Sequence, residues 1–239
     1  MTRSAVIVLV SLAALGGPVW DKAPEKWSLG DVFHILQDSP WCPAEVKVEA
    51  KTASRQVDSQ TGMVSTSPIN SQKASPVPAV QLSRTRPAPA VPVLWWSSKT
   101  IRLAELRKKQ LQGGGATGAL SVESLPDYVL VVEGNEPYRI LHDAKEDLHD
   151  SVFLEIPDGG TIDLESVKFV EATEQEEERV EFHFARLVDG QATLNAEADK
   201  VIFHCRAEAK TPRPTESNVL SFRAEFRPKT MKVRGAADL

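Results

Sequence analysis

Arg179–Ala185 (RVEFHFA), Lys200–Arg206 (KVIFHCR) and Asn218–Phe226 (NVLSFRAEF) share one pattern, with apolar residues at alternate positions and polar ones between. Val180, Phe182 and Phe184 fall on one face of the first run and Val201, Phe203 and Cys205 on one face of the second. Leu220, Phe222, Ala224 and Phe226 do the same in the third. Successive side chains of a strand point to opposite faces, so a period of two predicts half-buried strands that turn an apolar side to a core. Outward from these, Tyr128–Glu133 (YVLVVE), Ser151–Ile156 (SVFLEI) and Val167–Glu171 read as further strands, and Met231–Val233 as a last edge. Gly134-Asn135, Asp158-Gly159-Gly160 and Asp189-Gly190 supply turn chemistry between them. Short strands at this spacing predict an α+β fold that is mainly antiparallel β, sandwich-like or an open barrel, with short N-terminal helices.

Upstream, residues 24–50 read as a helix–strand segment. Ser28 is placed to cap a short helix, with Asp31 three residues on as in a capping box, and Val32, Ile35 and Leu36 then share one face. Pro40 ends that helix, Trp27 and Trp41 bracket it, and Glu45–Ala50 alternates like a strand. Residues 51–90 differ in kind. They hold no aromatic, and prolines punctuate a Ser, Thr, Ala and Gln background, which predicts a flexible linker or long loop. Order returns in 91–239, as a strand at Val91–Ser97 with Trp95 and Trp96 on opposite faces, a helix at Thr100–Gln112, and mostly β structure from residue 121.

The 239 residues are enough for one domain plus extra segments. The net charge of −5 argues against a dedicated nucleic-acid binder, and no apolar run reaches the roughly 20 residues of a membrane-spanning helix. The charge is uneven: +6 over residues 1–120, −14 over 121–210 and +3 over 211–239, with the acidic block peaking at Glu174–Glu178. Met1–Gly17 has the layout of a signal peptide. Arg3 is the basic start, Ala5–Leu15 the apolar core, and Ala14 and Gly16 the small residues before a cut. The predicted location is therefore secreted or periplasmic. That compartment permits a Cys42–Cys205 disulfide, with two separate buried thiols as the alternative. Two cysteines exclude a disulfide-dense scaffold and a four-thiolate zinc site.

Few residues suggest chemistry. If residues 140–149 are helical, His142, Glu146 and His149 fall on one face and form a candidate set of metal ligands; the alternative is a hydrophilic connector facing water. His183 and His204 each sit in a Phe-His strand context and would lie opposite the apolar face, as a pair if their strands are neighbours. Trp27, Trp41, Trp95 and Trp96 offer either core packing or an aromatic platform, and Trp95 and Trp96 are the candidates for a binding surface. Gly113, Gly115 and Gly118 match G-x-G-x-x-G, but a helix precedes them where a nucleotide site needs a strand, so no cofactor is expected.

Two segments carry a resemblance. Glu25-Lys26-Trp27-Ser28, Asp31-Val32 and Ile35–Trp41 resemble the "kW…vl.dSPWa" pattern of a family of small secreted bacterial proteins of unknown function. Val91–Arg102 looks like the strand–Ser–helix segment that follows in that family, and Phe226–Leu239, with Met231 and Gly235, is similar to its closing strand. Cys42 departs from the pattern, which has a small residue there, and so does the long Pro- and Ser-rich insertion. The resemblance implies secretion and the domain plan, with no catalytic residue to carry over. The expectation is an exported, non-enzymatic binding or envelope-associated module with a protein or glycan partner in the cell envelope. The competing expectation is a metal-dependent hydrolase using His142, Glu146 and His149.

Overall fold

The computed structural model describes residues 17–43, 46–54, 56–57, 64–65, 91–113, 119–157, 159–173, 176–210 and 216–239. The predicted signal segment up to Gly16, most of the 51–90 stretch, Gly115, Gly118 and Glu174 lie outside them.

Helix α1 (Leu29–Gln37) starts where the capping box places it. The Ser28 hydroxyl accepts from the Asp31 amide at 3.1 Å, and the Asp31 carboxylate accepts from the Ser28 amide at 2.9 Å. Two donors that the helix itself cannot satisfy are thereby paired. Val32, Ile35 and Leu36 are its buried face. The other principal elements are β1 (Val46–Ser54), β2 (Val93–Trp95), α2 (Lys99–Leu111), β3 (Tyr128–Glu133), α3 (Asn135–Asp143), β4 (Val152–Ile156), β5 (Gly160–Val170), β6 (Arg179–Phe184), β7 (Val201–Lys210) and β8 (Glu216–Phe226).

The eight strands form one antiparallel sheet in the order β1-β8-β7-β4-β5-β6-β3-β2. Strand β5 is its fold line. Gly160–Asp163 pair with β4, whereas Leu164–Val170 pair with β6, and the register shifts between Leu164 and Ser166. Such a bulge bends a strand and increases its twist. The two halves of the sheet then face one another. Phe203 of β7 lies 5.3 Å from Phe182 and 6.1 Å from Phe184 of β6, and Trp95 of β2 lies 5.1 Å from Phe226 of β8. None of these strands are ladder neighbours, so the rings meet across the interior. One continuous sheet folded on itself is the open-barrel form of the expected architecture, with β1 and β2 as its edges.

The core follows the sequence pattern. Val180, Phe182, Phe184, Val201, Phe203, Leu220, Phe222 and Phe226 are all 0–1% exposed. Helix α3 packs against β3, β6, β7 and β8, strands of both halves, and α1 packs on α2. Tyr128–Val132 of β3 are buried without alternation, as expected of a strand covered on both faces. Gly134, at φ 108°, joins β3 directly to α3, a backbone conformation that a side chain would strain.

Two strand boundaries and the disulfide differ from the sequence expectation. Strand β1 does not stop at Ala50: its backbone pairs with β8 as far as Ser54↔Glu216, into the stretch read as linker, and Gln56–Val57 pair with Val64–Ser65. Strand β5 begins at Gly160 rather than Val167, because Ile162 and Leu164 alternate with Asp163 and Glu165 and bury the apolar pair. The Cys42–Cys205 bridge is not formed; both residues are free thiols. Cys42 closes the Ser39–Cys42 turn, while Cys205 faces the core mid-strand, opposite Phe222 and Val152. The β1–β8 ladder makes the tie between the N-terminal segment and the rest that the disulfide was expected to make. Among the described residues, no helix is long and apolar enough to cross a membrane.

Candidate functional site

The proposed metal ligands are not assembled. Helix α3 ends at Asp143 with Ala144 as its C-cap, so the helical spacing of His142, Glu146 and His149 does not hold. His142 stacks on Tyr138 at 6.0 Å and meets Phe169 edge-on at 5.2 Å, whereas His149 lies in a separate single turn, Leu148–Asp150. Burial of Ala144 and Leu148 decides this connector's path. No group of three or more His, Cys, Asp or Glu placed to hold a metal occurs among the described residues.

His183 and His204 are not a pair either, because β4 and β5 lie between their strands. Each has its own carboxylate. His183 Nδ1 is 3.3 Å from Asp127 and its Nε2 3.8 Å from the buried Glu181, which also receives Arg179 at 3.0 Å. His204 Nε2 is 2.5 Å from Glu155, and its ring stacks on Phe153 at 4.6 Å.

The tryptophans divide. Trp27, Trp41 and Trp95 are 0–1% exposed, so Trp95 is a core residue and not part of a binding surface. Large rings bury the most apolar area, and three of the four candidates follow that rule. Trp96, one residue on, is half-buried, with the Arg179 guanidinium 5.1 Å from the centre of its ring.

Trp96 belongs to a groove of about 750 Å³ between α2 and the segment that enters β6. Most of its charges are matched. Lys108 pairs with Glu105 at 3.2 Å, and Glu176 is held between Lys109 and Arg179, the latter at 3.0 Å. Those hydrogen bonds lower the Glu176 pKa below the usual carboxylate value. Arg102 and Glu133 also line it. Arg102 donates from Nη2 to the Ser97 carbonyl at 3.3 Å, but its Nε–H is buried without an acceptor. Glu133 ends β3, where its amide donates to the Pro92 carbonyl at 3.3 Å. Burial pushes its carboxyl pKa up; Glu105 and Glu177 add to this, and Lys108 and Arg179 oppose it. Burial lowers the Arg102 pKa, with Arg186 adding to this and the Asp238 carboxylate opposing it. The sequence places Arg102 on the covering face of a helix, and it marks Glu133 only as the charged end of an apolar run.

A second cleft, of about 560 Å³, lies between the Asp38–Pro43 turn and the ends of β7 and β8. Lys200 and Arg227 both reach Glu225 there, at 2.6 and 3.8 Å. Cys42 lines it, but burial first, with Glu133 and Asp38 adding, pushes the thiol up to about 11, so it is a poor nucleophile at neutral pH.

The three sequence patches that carry the resemblance meet at one residue, Asp238. Its carboxylate accepts from Ser98 Oγ at 2.7 Å, from the Lys99 amide at 2.8 Å and from the Thr100 amide at 3.0 Å, so it caps α2. Its carbonyl accepts from Trp41 Nε1 at 2.6 Å, and its amide donates to the Met231 carbonyl at 2.9 Å. Trp95, in turn, donates from its amide to the Trp41 carbonyl at 2.9 Å. This junction is made of caps and backbone bonds, which makes it an architectural tie.

Comparisons with protein-family models, with curated proteins and with solved structures find no match to this chain.

Proposed function

We propose that this chain is an exported, non-enzymatic binding module of the cell envelope, with the α2 groove as its recognition surface. The observation that carries the binding role is the groove itself: an open channel with a half-buried Trp96 on its wall and a buried Arg102 Nε–H that has no acceptor. A buried donor without an acceptor is costly and rare in a folded protein, and a ligand that accepts from it would remove that cost. Export is supported by the basic, apolar and small-residue layout of Met1–Gly17.

The test is fractionation of the native host together with N-terminal sequencing. The expected result is a chain beginning after Gly16, found with the cell envelope, and a folded Trp96→Ala variant that is processed alike but released from the envelope fraction. A chain that retains Met1 in the cell interior overturns export. A Trp96→Ala variant held in the envelope as firmly as wild type overturns the role of the groove.

A further inference from the structure

We infer that the cleft between the Asp38–Pro43 turn and the outer face of β7 and β8 binds a phosphate monoester, its dianionic head held by Arg223, Arg227 and Lys200. This is a second site: none of the residues that line the cleft lines the α2 groove.

The ladder register and the ion pairs place the charges. Phe222, Ala224 and Phe226 of β8 are buried, so Arg223 and Glu225 between them point to the outer face. Ile202 is the ladder partner of Glu225 and His204 that of Arg223, which sets all four on that face. Ile202 points away from the core yet is only 6% exposed, and it forms the floor of the cleft under the turn. Lys200 Nζ lies 2.6 Å from Glu225 Oε2, and Arg227 Nη2 lies 3.8 Å from Glu225 Oε1. One carboxylate therefore brings two cations together. Arg223 stands two residues before Glu225 on the same face, about 7 Å along the strand. It is exposed, and no described carboxylate pairs with it. The neighbouring acids are engaged elsewhere. Glu155, across the ladder from Ile202, is 2.5 Å from His204, and Asp38, at the mouth with its side chain 75% exposed, is 3.5 Å from His34.

Three cations around one carboxylate select the ligand. A monocarboxylate would cancel only part of the excess charge, and a neutral sugar none of it. A long polyanion would meet Asp38 and Glu155 at the edges. A phosphate monoester carries about −1.5 to −2 charge at pH 7 and three strong acceptor oxygens, which guanidinium groups grip two at a time. Pro40, Pro43 and Ile202 offer the ester an apolar surface, and about 560 Å³ leaves room for more than the phosphate itself. Ser39 of the turn also lines the cleft; it is 8% exposed, and its hydroxyl has no hydrogen-bond partner among the described residues.

The experiment is calorimetric titration of the full chain with phenyl phosphate, benzoate and phenol. Phenyl phosphate is expected to bind, benzoate about tenfold or more weaker, and phenol not at all. Arg223→Gln and Arg227→Gln should each weaken phenyl phosphate about tenfold or more, as loss of one charged contact does. Glu225→Gln, nearly equal in shape, should tighten it, because the competing negative charge is gone. Melting curves confirm that the variants fold. Trp96→Ala should bind phenyl phosphate as wild type does, which separates this cleft from the α2 groove. Sedimentation with phosphatidylcholine vesicles that contain phosphatidic acid, absent with phosphatidylcholine alone and lost in Arg223→Gln, identifies a lipid head group as the source of the phosphate. Phenyl phosphate binding without such sedimentation identifies a soluble ester. No heat from phenyl phosphate at millimolar concentration, benzoate that binds as tightly, or affinity unchanged in both arginine variants overturns the inference. Weaker binding in Glu225→Gln overturns it too, since the charge balance then does not govern the site. Loss of binding in Trp96→Ala moves the ligand to the α2 groove and overturns the assignment to this cleft.

Discussion

Replacing Asp238 with alanine is expected to destabilise the protein by about 3 kcal/mol. The carboxylate accepts three hydrogen bonds, at 2.7, 2.8 and 3.0 Å, all from the first residues of α2. Ser98 and Thr100 are 0% and 3% exposed, so water cannot replace the lost acceptor at either. A single hydrogen bond to a charged group contributes about 1.5–3 kcal/mol, and a helix N-cap about 1. Three bonds to one carboxylate are not additive, and the Ser98 hydroxyl still caps Ile101, which sets the total nearer the top of one charged bond than the sum of three. At about 2–4 °C per kcal/mol for a domain of this size, the midpoint should fall by about 6–12 °C. Urea unfolding followed by tryptophan fluorescence reads the free energy directly. Asp238→Asn, which keeps one acceptor oxygen, should lose about half as much. A double-mutant cycle with Ser98→Ala should show coupling of at least about 1 kcal/mol. A loss below about 1 kcal/mol for Asp238→Ala, or strict additivity in the cycle, refutes the idea that this carboxylate holds α2 in place.

Glu133→Gln should raise the melting midpoint at about pH 7 and make no difference at about pH 4. Its folded pKa lies above the ordinary value, chiefly through burial, so the native state binds the proton more tightly than the unfolded chain. Stability is therefore greatest below the ordinary pKa and falls as pH rises through the folded value, with Glu105, Lys108, Glu177 and Arg179 facing the group. Equal midpoints for wild type and variant at every pH would remove this explanation. For the thiols, titration with Ellman's reagent should find two free groups in denaturant, slow reaction of Cys42 in the native state and none of Cys205, whose pKa burial raises further still. An intact mass two hydrogens lower under non-reducing conditions would show that a bridge forms after all.

The parts of the fold written in local pattern were legible. Period-two burial in RVEFHFA, KVIFHCR and NVLSFRAEF named the inward residues of β6, β7 and β8, and Ser28 with Asp31 named the start of α1. What depends on distant neighbours was not. Nothing near Asp238 in the sequence points to α2, since the contact joins residues 98–100 to residue 238. His183 and His204 look alike locally, yet the bend of β5 puts them in different halves of the sheet. The buried or half-exposed fate of Trp95 and Trp96 was fixed as a difference between the two by strand alternation, but which of them faced inward was not. The groove was hidden for the same reason: Trp96, α2 and the segment that enters β6 come together only in space.

The pairing of β1 with β8 sets residue 46 beside residue 224, so an early stretch of the chain has no place in the sheet until a late one exists. Ladders that join such distant residues form slowly, because the intervening chain must be gathered in before any bond rewards it. The β4–β5–β6 meander joins strands that follow one another in the chain and closes far smaller loops than the β1–β8 pairing does. Without β1, the outer edge of β8 would present an open row of backbone groups, a template for a stray strand.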